Sequence, residues 1–143
     1  MTWAKSGSER HRGRELALQL LYQWEVGKGG ASDLDETDLF WETHPTPEAR
    51  RTFASVLVGG TRDHLEKIDP LLDASADHWR LGRMAVVDRL IMRMAVYELL
   101  YTETPRAVVI DEALELAKTF SSDESVGFIN GVLDRVRRQL DNG

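Results

Sequence analysis

Hydrophobic residues recur along this chain mostly at intervals of three and four, the spacing that gathers them on one side of a helix. Leu16, Ala17, Leu20, Leu21 and Trp24 form such an arc. The helix they predict starts at about Ser8 or Arg10, runs to Val26 and stops at Gly27-Lys28-Gly29-Gly30. A short acidic helix from Asp33 to Trp41 follows, with Ser32 as N-cap, and His44-Pro45-Thr46-Pro47 breaks it. Thr46 then caps a third helix with Pro47 first inside. That helix carries Phe53, Val56, Leu57, Gly60, His64 and Ile68 and ends at Asp69-Pro70. Leu71 to Asp77 predicts another short helix, and Met84, Val87, Ile91, Met94, Ala95 and Leu99 trace a long apolar one at the centre of the core.

Thr104-Pro105 restarts the chain for a sixth helix built on Val109, Ala113, Leu116, Ala117 and Phe120. Ser121-Ser122-Asp123-Glu124 has the Ser-x-x-Glu form of a capping box, in which hydroxyl and carboxylate satisfy each other's orphan amides. It opens a last helix to about Leu140, with Val126, Ile129, Leu133, Val136 and Leu140 as its apolar stripe. The longest β-branched run, Ala107-Val108-Val109-Ile110, is too short and too close to Pro105 to outweigh the helical pattern. The expected fold is all-α: about seven helices in two packed halves that meet near Trp79 and share one core. A single domain over 1–143 is expected, with residues 1–9 as a flexible arm.

Composition narrows the function. With 143 residues, 42% of them hydrophobic, the chain can bury a core without staples, and it has no cysteine for a disulfide, a thiolate metal site or a nucleophile. No apolar leader follows the early cations Lys5, Arg10 and Arg12, and no stretch reaches membrane-spanning length, so a cytoplasmic protein is expected. A net charge of −6 excludes coating of nucleic acid by bulk attraction. Any nucleic-acid site must be a patch, and the chain offers one: Lys5, Arg10, Arg12 and Arg14 stand against only Glu9. Asp33, Asp35, Glu36, Asp38 and Glu42 form the acidic counterpart.

Two helix faces add aromatic groups. Opposite the apolar arc of the first helix lie Arg12, Glu15, Gln19, Tyr22 and Gln23, whose guanidinium, amides and phenol can hydrogen-bond or stack on unpaired bases. On the last helix Phe128 falls about 110° from the centre of the stripe, a candidate exposed aromatic, with a boundary groove as the structural alternative. Trp24 and Trp79 read as core anchors and Trp41 as the close of an amphipathic turn. Gly59-Gly60 lacks any phosphate-loop spacing and reads as a close helix crossing. His11, His44, His64 and His78 have no ligand spacing, and no catalytic or cofactor motif is present, so neither metal, cofactor nor enzymatic activity is expected.

Four segments, in order, resemble the NusB family. Arg10-His11-Arg12-Gly13-Arg14 runs into Ala17-Leu18-Gln19-Leu20-Leu21-Tyr22-Gln23-Trp24, similar to that family's arginine-rich arm and first helix. Val87-Asp88-Arg89 through Tyr97-Glu98-Leu99 resembles its central helix, Asp111 to Lys118 the next, and Phe128-Ile129-Asn130-Gly131-Val132-Leu133-Asp134 the last. The resemblance implies transcription antitermination: binding of single-stranded boxA RNA in ribosomal RNA transcripts with NusE, a small-ribosomal-subunit protein, and entry into the elongating RNA polymerase complex. It further implies that Arg10, His11, Arg12, Arg14, Gln19, Tyr22 and Phe128 contact RNA, and that Tyr22, Asp88 and Glu124 face the partner.

Two departures qualify that inheritance. His11 stands where the family commonly has arginine, which weakens the arm near neutral pH. Val126-Gly127 replaces polar or basic residues before Phe128, which removes phosphate contacts and favours an apolar self-contact, and so a homodimer. Two other readings stay open: a helical adaptor that binds protein alone, and a NusB-like piece of a ribosomal RNA methyltransferase, for whose catalytic domain 143 residues leave no room.

Overall fold

The computed structural model describes residues 2–27, 33–76 and 84–142, with side chains over 9–27, 37–76 and 84–142. Trp79 and His78, and with them the expected meeting point of the two halves, lie outside the described residues, as do Ser32 and Gly29-Gly30. All seven described elements are helices. The chain forms two compact units, Met1–Gly59 and Gly60–Gly143.

The first unit holds α1 (Thr2–Val26), α2 (Asp33–Thr43) and most of α3 (Glu48–Asp63). The start of α1 precedes the expected one, so residues 2–9 of the segment read as a flexible arm are helical backbone here. Its end matches: Gly27 closes the last turn with its N–H on the Gln23 carbonyl at 2.9 Å. Ala17, Leu18, Leu20 and Leu21 are buried on α1, Phe40 and Trp41 on α2, and Ala54, Leu57 and Val58 on α3. Beyond α2, His44 stacks on Phe40 at 4.1 Å between ring centroids and donates from Nδ1 to the Phe40 carbonyl at 2.9 Å. Thr46 does not cap α3: its hydroxyl donates to the His44 carbonyl at 2.6 Å, and the first α3 bond runs from the Arg51 N–H to Pro47 at 3.0 Å.

In the second unit, α4 (Leu65–Ser75), α5 (Val86–Tyr101), α6 (Arg106–Phe120) and α7 (Asp123–Asn142) follow the last turn of α3. The expected break at Asp69-Pro70 falls instead at His64, and Pro70 sits inside α4. The cause is a side chain competing with its own backbone. A continuing helix would place the His64 N–H on the Gly60 carbonyl; the ring Nδ1 takes that carbonyl at 2.7 Å, and the N–H turns to Thr61 at 3.4 Å. Pro70 is exposed, so water can serve the carbonyl its missing N–H leaves free. Asp69, no terminator, accepts from Arg93 Nε and Nη2 at 2.9 and 2.8 Å and fastens α4 to α5.

α5 is buried nearly all round, with Leu90, Ile91, Met92, Met94, Ala95, Val96 and Leu99 inside and α4, α6 and α7 packed against it. On α6 the buried set is Val109, Ile110, Ala113, Leu116 and Ala117; on α7 it is Ile129, Val132, Leu133 and Val136. Pro105 stands at the N-cap of α6, as its fixed φ suits. Gly60 is the close crossing expected of the glycine pair: a Cβ there would overlap the Tyr97 ring, whereas Gly59 has open space.

Candidate nucleic-acid interface

At about 100° per residue, Arg12, Gln19 and Gln23 fall within about 20° of one line along α1, with His11, Glu15 and Tyr22 beside it. Arg12, Gln23 and Tyr22 are exposed, Tyr22 at 44%, while His11, Glu15 and Gln19 are half-buried. His11 Nε2 stands 3.7 Å from Glu15 Oε2 one turn on. The result is a polar stripe of one guanidinium, two amides and a phenol, all able to hydrogen-bond and two able to stack.

The other side of the arm turns inward. Gly13 leaves a notch that the Phe53 ring fills: a Cβ at Gly13 would stand 2.6 Å from Phe53 Cδ2. The Arg10 and Arg14 guanidinium carbons, one helical turn apart, lie over that ring at 5.0 and 5.2 Å from its centroid. Arg10 is exposed. Arg14 is only 2% exposed, so the reading of it as an RNA contact is corrected: the i, i+4 spacing that puts it beside Phe53 takes its charge off the surface. Glu9, the one acid of the arm, accepts from Arg50 Nε and Nη2 at 3.0 and 2.6 Å and ties α1 to α3. Next to Arg50, Arg51 is exposed, its guanidinium carbon 5.4 Å over the Trp41 ring.

Sequence reasoning missed Phe53, Glu9 and Arg50 as parts of this site. A signal for one was present in Gly13, since a glycine inside a helix marks a close approach. Nothing local marked Arg50, which α3 delivers.

The remaining candidates lie in the second unit. Asp88, in the first turn of α5, is 6% exposed and accepts from the Ser121 and Ser125 hydroxyls at 2.6 and 2.7 Å. That burial corrects its reading as a partner-facing group: it tethers the start of α7. The same tether moves the cap. With Ser121 engaged by Asp88, Ser122 takes the capping place and accepts from the Ser125 N–H at 3.1 Å, so no Ser121 and Glu124 box forms. Glu124 is exposed in the first turn of α7, where its charge suits the positive end of the helix. Phe128 is half-buried, between the exposed aromatic and the groove filler that its wheel position allowed. Val126 is half-buried and Gly127 exposed. Among the described residues no group of three histidines or carboxylates is placed to hold a metal ion.

The NusB family pattern matches residues 11–138. A transcription antitermination protein NusB from Koribacter versatilis is 48% identical over 139 residues, which cover 96% of this chain and 93% of that protein. Another, from Geobacter sulfurreducens, is 45% identical over 92% of this chain and 95% of its own length. Among solved structures, T. maritima NusB matches with a TM-score of 0.80 at 32% identity, covering 91% of each chain. A crystal structure of antitermination factors NusB and NusE in complex with dsRNA shares the fold, with a TM-score of 0.78 at 24% identity over 92% of this chain and 98% of that one.

Proposed function

This chain belongs to the NusB family of transcription antitermination proteins, and on that premise we propose that it binds single-stranded boxA-type RNA in ribosomal RNA transcripts together with NusE, and joins elongating RNA polymerase. The observation that carries the reading is the polar stripe of α1, where the exposed Arg12 and Gln23 share one line with the half-buried Gln19 and the exposed Tyr22 flanks it, while Arg10 is exposed on the other side of the helix. In an acidic chain it supplies local cations for phosphates and flat polar groups for unstacked bases. In the second unit Phe128 is a separate aromatic candidate for RNA and the exposed Glu124 a candidate contact for NusE; in the first unit the exposed Tyr22 is another. That a relative of the same fold is solved with NusE and dsRNA supports both partner classes. The role is a cytoplasmic one without a catalytic step; no helix among the described residues is long and apolar enough to cross a membrane.

The test is binding of a boxA RNA against a scrambled oligonucleotide at matched salt, with and without NusE. Preference for boxA supports the reading; equal affinity in both settings leaves a protein-only adaptor. Within that assay Arg12→Glu is expected to weaken binding and to reduce the salt slope by about 1, because one phosphate partner becomes a like charge. A slope unchanged from the parent protein would remove Arg12 from the interface.

A further inference from the structure

The three arginines of the arm occupy three different environments. Arg14 is sealed inside, Arg12 projects on the outward line, and Arg10 is exposed yet rests over the Phe53 ring at 5.0 Å. A guanidinium is a plane with two faces. The Arg10 guanidinium carbon stands 5.0 Å from the ring centroid while the residue as a whole stays exposed, so the group is anchored on the ring and still open to solvent.

We infer that Phe53 is a positioning residue for RNA, holding the Arg10 guanidinium as a fixed plane on which an unpaired nucleobase stacks. The inference rests on the RNA-binding reading above and deepens it. An arginine held in place gives up less side-chain freedom when a base arrives than one that swings free. Stacking of splayed bases on guanidinium planes is a general mode of single-strand recognition. Three features hold the ring in place next to Arg10. Gly13 admits the ring, with Phe53 Cδ2 only 2.6 Å from where a Cβ would stand. Arg14, over the same ring at 5.2 Å, packs it from within. The paired bonds between Arg50 and Glu9 hold α1 and α3 together one residue before Arg10.

The experiment is a double-mutant cycle read by binding of a labelled single-stranded boxA RNA in the presence of NusE. Phe53→Leu is expected to weaken binding about fivefold, the scale of one cation–π contact, and to leave the salt slope unchanged because no phosphate contact is lost. Phe53→Tyr keeps the ring and retains parental affinity. In an Arg10→Ala background Phe53→Leu has no further effect. Helix content by circular dichroism accompanies each variant, and Phe53→Met replaces Phe53→Leu if leucine unfolds the unit. Parental affinity in Phe53→Leu, or the same fivefold loss with Arg10 already removed, overturns the inference and leaves RNA binding standing. Failure of the parent protein to bind the RNA at all overturns both.

Discussion

Gly60→Ala is expected to destabilise the protein by about 3 kcal/mol, the upper part of the range for forcing an extra methyl into a packed interior. The added carbon would coincide with the Tyr97 ring, overlapping Cζ, Cε1 and Oη. That ring has little room to withdraw: it is buried and lies against His64 and Tyr101 at centroid separations of 5.9 and 5.4 Å. Alanine favours a helix interior over glycine by about 1 kcal/mol, which offsets only part of the clash. Gly59→Ala, one residue earlier with nothing near its would-be Cβ, keeps that gain without the clash and is expected to stabilise. Urea unfolding of the pair decides the matter. Opposite signs are the expected result, and a Gly60→Ala midpoint at or above the parental one would refute the crossing.

Asp88→Ala is expected to cost about 2–4 kcal/mol, from two hydrogen bonds to a charged acceptor less what water returns to the freed serines. The carboxylate is buried in the first turn of α5, and its oxygens take the Ser121 and Ser125 hydroxyls. Removing it releases the turn between α6 and α7 and loosens the start of α7, the helix that carries Glu124 and Phe128. Asp88→Asn keeps one oxygen acceptor and offers an amide to which a rotated hydroxyl can accept, so about half the loss should return. Unfolding midpoints of the two variants, with amide exchange across 121–128, give the readout. An alanine variant with parental stability and protection would show that the tether does not hold α7.

The helices themselves were legible from apolar spacing because each buries a stripe of its own. Val109, Ala113, Leu116 and Ala117 on α6, and Ile129, Leu133 and Val136 on α7, are buried as their intervals predict. Boundaries decided by a single hydrogen bond were not legible. The break at His64 depends on a ring nitrogen reaching the Gly60 carbonyl, a competition that leaves no mark on periodicity. The capping place moved from Ser121 to Ser122 because Asp88, distant in sequence, claimed the first hydroxyl. The site divides in the same way. Arg12 and Tyr22 could be placed on the outside by counting around the helix, but the burial of Arg14 required Phe53 to be delivered into the Gly13 notch from another helix.

The ion pair between Glu9 and Arg50 bears on kinetics. Read as a stretch of sequence, the arm has its positive charge reduced by Glu9. Folded, that carboxylate is offset by a cation from α3, so it subtracts less from the field of Arg10 and Arg12 than the sequence suggests, and Glu15 is the acid that stays beside Arg12. For a polyanion diffusing past an otherwise negative protein, this local field directs the encounter. Its influence therefore falls on the rate of association, and it fades as salt shortens the range of the field.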